Sequence, residues 1–142
     1  MTRFAASVAL DPPAISALTQ RVTDFLHEAG VDPRAVHHVA LSLDELLTNA
    51  ATHGGGAGLD AEVSLEVSAD RVEVQILDSA APYDPRGAAP AELEKPLDQR
   101  EIGGLGLRLV MKLSHDLQYS RRDGRNLTRY WIRRQGSDDR VA

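Results

Sequence analysis

The period of apolar and polar positions changes several times along the chain, and each change marks an element. Residues 3–10 are short and mostly apolar, the pattern of an edge strand. Asp11-Pro12-Pro13 predicts a helix start, with the Asp side chain as N-cap and a proline in the first turn. Ile15, Leu18, Val22, Phe25 and Leu26 then recur at helical spacing as far as Gly30. Asp32-Pro33 repeats the start signal. Val36, Val39, Ala40, Leu43, Leu46, Leu47 and Ala50 form the apolar stripe of a second helix, which stops at Gly54-Gly55-Gly56.

After the glycines the period drops to two. Val63, Leu65 and Val67 alternate with Glu62, Ser64 and Glu66, and Val72, Val74 and Ile76 alternate with Arg71, Glu73 and Gln75. Ala69-Asp70 is the tight link of this predicted hairpin, and Asp78 closes its second strand. Residues 79–101 carry Pro82, Pro85, Gly87, Pro90 and Pro96 and show no period. A loop of that length in a small domain serves as a functional lid or stays disordered. Gly103-Gly104-Leu105-Gly106 then leads into a short helix, Leu107 to Leu113. Leu117 to Arg122 and Asn126 to Arg134 form a last hairpin around Asp123-Gly124, before a polar, frayed tail at 136–142.

The order is roughly βααββ–loop–αββ, in which hairpins outnumber parallel crossovers. It predicts an α+β fold: a two-layer sandwich, with a mixed, mostly antiparallel sheet and helices on one face. The expected organisation is one domain over 1–135.

Composition narrows the class. A chain of 142 residues has room for one core, and only 4% aromatics mean that Leu, Val, Ile and Ala fill it. No cysteine is present, which excludes disulfides, Cys-ligated metals and thiol nucleophiles and fits a cytoplasmic location. No apolar run approaches the roughly 20 residues that span a bilayer, and Met1-Thr2-Arg3-Phe4 lacks the apolar core of a signal peptide. The net charge of −5 is unevenly spread. Residues 119–142 carry seven Arg and three Asp, a net +4, which leaves −9 for the first 118 residues. Such a basic end fits nucleic acid, but Arg129 and Arg133 interleave with Tyr130, Trp131 and Ile132. That pattern reads better as the outer face of a strand pair, so nucleic-acid binding is the weaker option.

Three short motifs can carry chemistry. Glu45 and Asn49 lie four apart on the second helix, with His53 one turn on, so one face presents a carboxylate and a carboxamide. Together they can orient a hydroxyl and ligate a hard cation through oxygen; taken alone, they also read as an ordinary polar helix face. Asp78 ends a strand and faces a loop, where it can accept a hydrogen bond from a ligand amine or simply form a turn. Gly103, Gly104 and Gly106 precede a helix, where backbone N–H groups can approach phosphate or a hinge can form. The glycines match neither a Rossmann fingerprint nor a Walker A motif. The five histidines form no i,i+4 pair, and no Gly-x-Ser-x-Gly elbow occurs.

In that order these motifs resemble the Bergerat ATP-binding fold of the GHKL superfamily, over about residues 5–134. Within it, the chain is similar to the anti-sigma-factor serine kinases of the RsbW and SpoIIAB type. Asp44–His53 resembles the N box, Asp78–Pro85 the G1 box in its Asp-x-Gly-x-Pro-Phe-Asp-Pro form, and Ile102–Leu107 the G2 box. Arg122-Asp123-Gly124-Arg125-Asn126 resembles the family's closing hairpin. The resemblance implies ATP and Mg²⁺ as cofactors. It implies Glu45 as general base toward a serine hydroxyl, Asn49 as the Mg²⁺ ligand, and Asp78 as acceptor for the adenine amine. Ala80 and Pro82 belong to the adenine side. Gly103, Gly104, Leu105, Gly106 and Leu107 would wrap the phosphates, with His53 at the phosphate end and an ATP lid over about 82–103. Asn126 or Thr128 stands where the family often has an adenine-side Thr. One departure is Ala80, where the box usually has glycine: a methyl there would crowd the pocket or forbid a positive φ.

The resemblance also implies a partner-switching regulator. It would phosphorylate a serine on a STAS-domain anti-anti-sigma factor, hold a sigma factor or other regulator in its other state, and form a homodimer. The alternative is a non-catalytic nucleotide-binding or sequestration module of the same fold. A sensor histidine kinase is disfavoured, because no phosphoacceptor helical hairpin precedes the fold in this sequence.

Overall fold

The computed structural model describes residues 2–55, 58–86 and 102–135, with only the backbone path given for 102–105. Strand β1 (Thr2–Ala9) leads to helices α1 (Pro12–Glu28) and α2 (Pro33–His53), then strands β2 (Asp60–Val67) and β3 (Arg71–Asp78). Helix α3 (Ile102–Leu113) and strands β4 (His115–Arg122) and β5 (Arg125–Arg133) complete the described elements. The five strands form one sheet in the order β1-β2-β3-β5-β4, and every pairing is antiparallel. The expected lid lies largely outside the described residues, as does the expected tail at 136–142.

Both long helices start as the sequence predicts. Asp11 accepts a 2.9 Å bond from Ala14 N and Asp32 a 2.8 Å bond from Arg34 N, each with proline at the first helical position. Ile15, Leu18, Val22 and Leu26 of α1 are buried, as are Val36, Val39, Leu43, Leu46 and Leu47 of α2. They meet Val63, Leu65, Val67, Val72, Val74 and Ile76 from the inner face of the sheet. Burying these aliphatic side chains contributes roughly 1.5–3 kcal/mol each, and it is the main force holding the layers together. The opposite face of the sheet is polar. Arg129 and Arg133 are exposed there on either side of buried Tyr130 and Ile132, so the basic segment is the outer face of a strand pair.

The glycine segment departs from expectation. The helix starts at Ile102 rather than after Gly106, so Gly103-Gly104-Leu105-Gly106 lies within its first turns. The closing turn follows expectation: Asp123 and Gly124 have φ of 49° and 77°, the conformation of a tight type I′ hairpin turn. It pairs Arg122 with Arg125, Arg121 with Asn126 and Tyr119 with Thr128. At the far end of β5, Arg134 donates to the carbonyls of Ser68 (2.8 Å) and Ala29 (2.9 Å), tying the strand to the β2–β3 turn and to the end of α1.

Candidate functional site

A cavity lies between α2 and the ends of β3 and β5. It is lined by Leu46, Asn49, Ala50 and His53 from α2, Ile76, Asp78, Ala80, Tyr83 and Pro85 from β3 and its following loop, and Asn126 and Thr128 from β5. Strand alternation sets the floor. Asp78 and Ile76 point to the helices from β3, and the antiparallel register places Asn126 beside Asp78 and Thr128 beside Ile76. The wall depends on how α2 is seated. Ser42, one turn before Glu45, is fully buried; its hydroxyl lies 2.7 Å from that of Tyr130 on β5 and donates to the Val39 carbonyl at 2.9 Å.

From that anchored helix Glu45 and Asn49 emerge on one side. Asn49 is 5% exposed. Its Nδ2 donates to the Glu45 carbonyl at 2.8 Å and to Oε2 of the Glu45 carboxylate. Both amide hydrogens are thereby used, while its Oδ1 has no protein partner among the described residues. The Glu45 carboxylate lies directly against Gly106 of α3, where any Cβ would overlap it. Gly106 therefore has a second role that the sequence does not show: it gives the Glu45 side chain its place.

Asp78 is 5% exposed, and burial raises its carboxyl above the ordinary value. The opposing influences are hydrogen bonds from Asn126 and Ala80 N and the charge of Arg121. Both bonds fall on Oδ1, at 2.9 Å from Asn126 Nδ2 and 3.0 Å from Ala80 N. Oδ2 has no protein partner among the described residues. Ala80 does not adopt a positive φ, so alanine fits the backbone there. Its methyl, 2% exposed, lies where a Cβ on Gly54 would meet it at 3.1 Å.

Other expected residues sort into two groups. His53 and Thr128 line the cavity, and His53 stacks on Tyr83 with ring centroids 4.5 Å apart and 12° between planes. Pro82 is exposed and does not line it; Tyr83 and Pro85 do. Leu107 is 3% exposed and packs into the core, so its side chain has no part in the cavity. The side chains at 103–105 lie outside the described residues. Sequence reading missed Tyr83 and Pro85, although both stand in the Pro-Tyr-Asp-Pro run that carried the resemblance. It also missed Tyr119 and Arg121, which bond to Asn126.

The donor set suits a ligand with an amine at one end and a cation-bound polyanion at the other. Asp78 Oδ2 is able to accept from an amine, and Asn49 Oδ1 is able to offer a hard oxygen to a cation. Among the described residues no group of three His, Cys, Asp or Glu side chains could hold a metal ion. The cavity itself holds only about 20 Å³, room for roughly one water.

Residues 8–131 match the family described as the histidine kinase-like ATPase domain. The chain belongs to the histidine kinase-like ATPase family. Among the relatives of this ATPase domain is the serine/threonine-protein kinase BtrW of Bordetella bronchiseptica, 40% identical over 90 residues. That match takes in 62% of this chain and 63% of BtrW, somewhat less than two thirds of the relative's length. The serine-protein kinase RsbW of Listeria innocua is 25% identical over 113 residues, 75% of this chain and 72% of RsbW. Among solved structures, the RsbU and RsbW domains of Rv1364c from Mycobacterium tuberculosis superpose with a TM-score of 0.66 at 14% identity. They cover 94% of this chain and 32% of that one. The catalytic domain of histidine kinase ThkA gives 0.51 at 15% identity, over 95% of this chain and 99% of that one. These structural likenesses show that the histidine kinase-like ATPase fold is shared. No helix among the described residues is long and apolar enough to cross a membrane.

Proposed function

We propose that this ATPase domain is a Mg-ATP-dependent protein serine kinase of a partner-switching circuit. Its substrate is a serine on a STAS-domain anti-anti-sigma factor. In its other state it sequesters a sigma factor or another regulator, as a cytoplasmic homodimer. The observation that carries this reading is the set of unspent oxygens around one cavity: Asp78 Oδ2 and Asn49 Oδ1, with the Glu45 carboxylate bonded to Asn49. The similarity to BtrW and RsbW supports the choice of protein serine as acceptor.

Bound Mg-ATP supplies the phosphoryl group and the positive charge that offsets its oxygens. The protein's part is positioning and electrostatics. Asp78 accepts from the base amine and so fixes the nucleotide's orientation. Asn49 offers Oδ1 to the cation, because its amide hydrogens are already committed to Glu45. Glu45 receives the proton of the incoming serine hydroxyl, and its bond to Asn49 and contact with Gly106 hold it in place. The first turn of α3, with Gly103 and Gly104, offers backbone N–H groups to the phosphates, while the Gly106 N–H lies beyond that turn and is used within the helix.

The test is transfer of labelled phosphate from ATP to the STAS-domain protein encoded nearest to this chain. Glu45→Ala is expected to abolish transfer while leaving ATP binding largely intact. Transfer at the wild-type rate in that variant removes Glu45 from the mechanism.

Ala80 favours a second reading, a module of the same fold that acts by sequestration. Its buried methyl takes up room in a cavity that is already narrow. Calorimetry with Mg-ATP and Mg-ADP separates the two: no heat of binding at high micromolar nucleotide supports sequestration alone.

A further inference from the structure

Asn126 sits opposite Asp78 in the β3–β5 register and is 2% exposed. Its carboxamide is fully used inside the protein. Nδ2 donates to Asp78 Oδ1 and to the Ala81 carbonyl, both at 2.9 Å, with the Ala80 carbonyl at 3.3 Å. Oδ1 accepts from the Tyr119 hydroxyl and from Arg121 Nη1, the latter at 3.0 Å. A carboxamide has two donor hydrogens and one oxygen with two lone pairs, so nothing is left over for a ligand. Arg121 Nη1 also donates to the Ala80 carbonyl at 3.0 Å. The loop after β3 is thus held through its carbonyls by two side chains from the last hairpin. The bonds that reach Asp78 all land on Oδ1, so its ring of contacts orients Oδ2 by default.

We propose that Tyr119, Arg121 and Asn126 form a clamp that holds residues 78–81 and turns Asp78 Oδ2 toward the base, so that base selectivity is set by side chains that do not touch the base. The proposal rests on reading the cavity as the adenine site. Asn126 is then a positioning residue. Thr128, the next inward-facing position on β5, is the side chain left to meet the base. An ionised carboxylate oxygen only accepts hydrogen bonds. Adenine presents a donating 6-amino group, whereas hypoxanthine presents an accepting 6-oxo group. A fixed acceptor rejects the oxo base, because a buried polar group left unpaired is costly. A carboxylate free to rotate lets water bridge to the oxo group and loses that discrimination.

The experiment is calorimetric binding of Mg-ATP and of Mg-ITP, which carries the 6-oxo base on the same triphosphate. The full chain is compared with Asp78→Asn, Tyr119→Phe and Arg121→Gln, each checked for cooperative melting. The wild type is expected to prefer ATP. Asp78→Asn keeps an oxygen for both Oδ1 donors, replaces Oδ2 with an amide donor, and should erase or invert the preference. Tyr119→Phe and Arg121→Gln should each lower the ATP-to-ITP affinity ratio by roughly fivefold, the scale of one hydrogen bond. An unchanged ratio in both variants, or equal losses of the two nucleotides, overturns the clamp, since a merely structural role weakens both alike. A wild type that binds neither nucleotide, or an unchanged ratio in Asp78→Asn, overturns the adenine-site reading itself. If Arg121→Gln fails to fold, Tyr119→Phe, which removes a single hydroxyl, decides the matter.

Discussion

At the scale of the residue, the site is a set of polar atoms whose partners are unevenly distributed. Asp78 accepts two bonds on Oδ1 and none from the described residues on Oδ2, inside a region that favours its neutral form. Its folded pKa is raised by burial, so protonation favours folding. Stability from this group is therefore present below the unfolded carboxyl's pKa and is lost as pH rises through the folded value. Asp78→Asn is expected to raise the unfolding midpoint at neutral pH, and the gain should shrink on acidification as Asp78 takes up its own proton. The same variant should weaken Mg-ATP binding by about tenfold or more, because an amide hydrogen would face the base amine. Thermal melts across pH and calorimetry check the two halves separately. The residue-level expectation is that the Ala80 methyl crowds the pocket or forbids a positive φ. The structure accommodates alanine because its φ is not positive and because Gly54 leaves room for the methyl.

At the scale of the element, the contact between α2 and α3 makes Gly106 more than a hinge. Gly106→Ala is favoured in an isolated helix by about 1 kcal/mol, yet its methyl would displace the Glu45 carboxylate. Phosphotransfer is expected to fall by roughly 100-fold, the scale of an ångström's misplacement, while far-ultraviolet circular dichroism stays unchanged. A parallel loss of helix signal would point instead to general damage. The seat of α2 on β5 has its own test. Tyr130→Phe removes the bond to Ser42 but leaves Ser42 bonded to Val39, so the expected cost in denaturant unfolding is about 1 kcal/mol. The elements themselves were largely legible. Asp-Pro starts, glycine stops and the Asp123-Gly124 turn are local chemistry, and the strands and long helices fall where periodicity puts them. The start of α3 was not legible. Three glycines in four residues lower helix propensity, and packing of that helix against α2 and the core overrides it.

At the scale of the molecule, a binding site at the junction of both layers couples ligand to global stability. Mg-ATP at 100 times its Kd is expected to stabilise the fold by about 2.7 kcal/mol. A concentration series of melting curves measures this, and a midpoint indifferent to nucleotide argues for the sequestration reading. The Arg125–Glu62 pair, at 2.9 Å, crosses the sheet's open face from the basic end to the acidic part of the chain, so part of the −9 and +4 segregation is neutralised in space. The sequence by itself determined the α+β class, the helix caps, the apolar stripes, the closing turn and the placing of Glu45 and Asn49 on one face of a helix. Each is written in local spacing or residue chemistry. The tertiary structure alone decided that Gly106 gives Glu45 its place, that Leu107 belongs to the core, and that Asn126 spends its hydrogen bonds on the loop rather than keeping one for a ligand. Those facts depend on strand register and helix approach, which bring together atoms from distant parts of the chain. Local spacing carries no information about such distances.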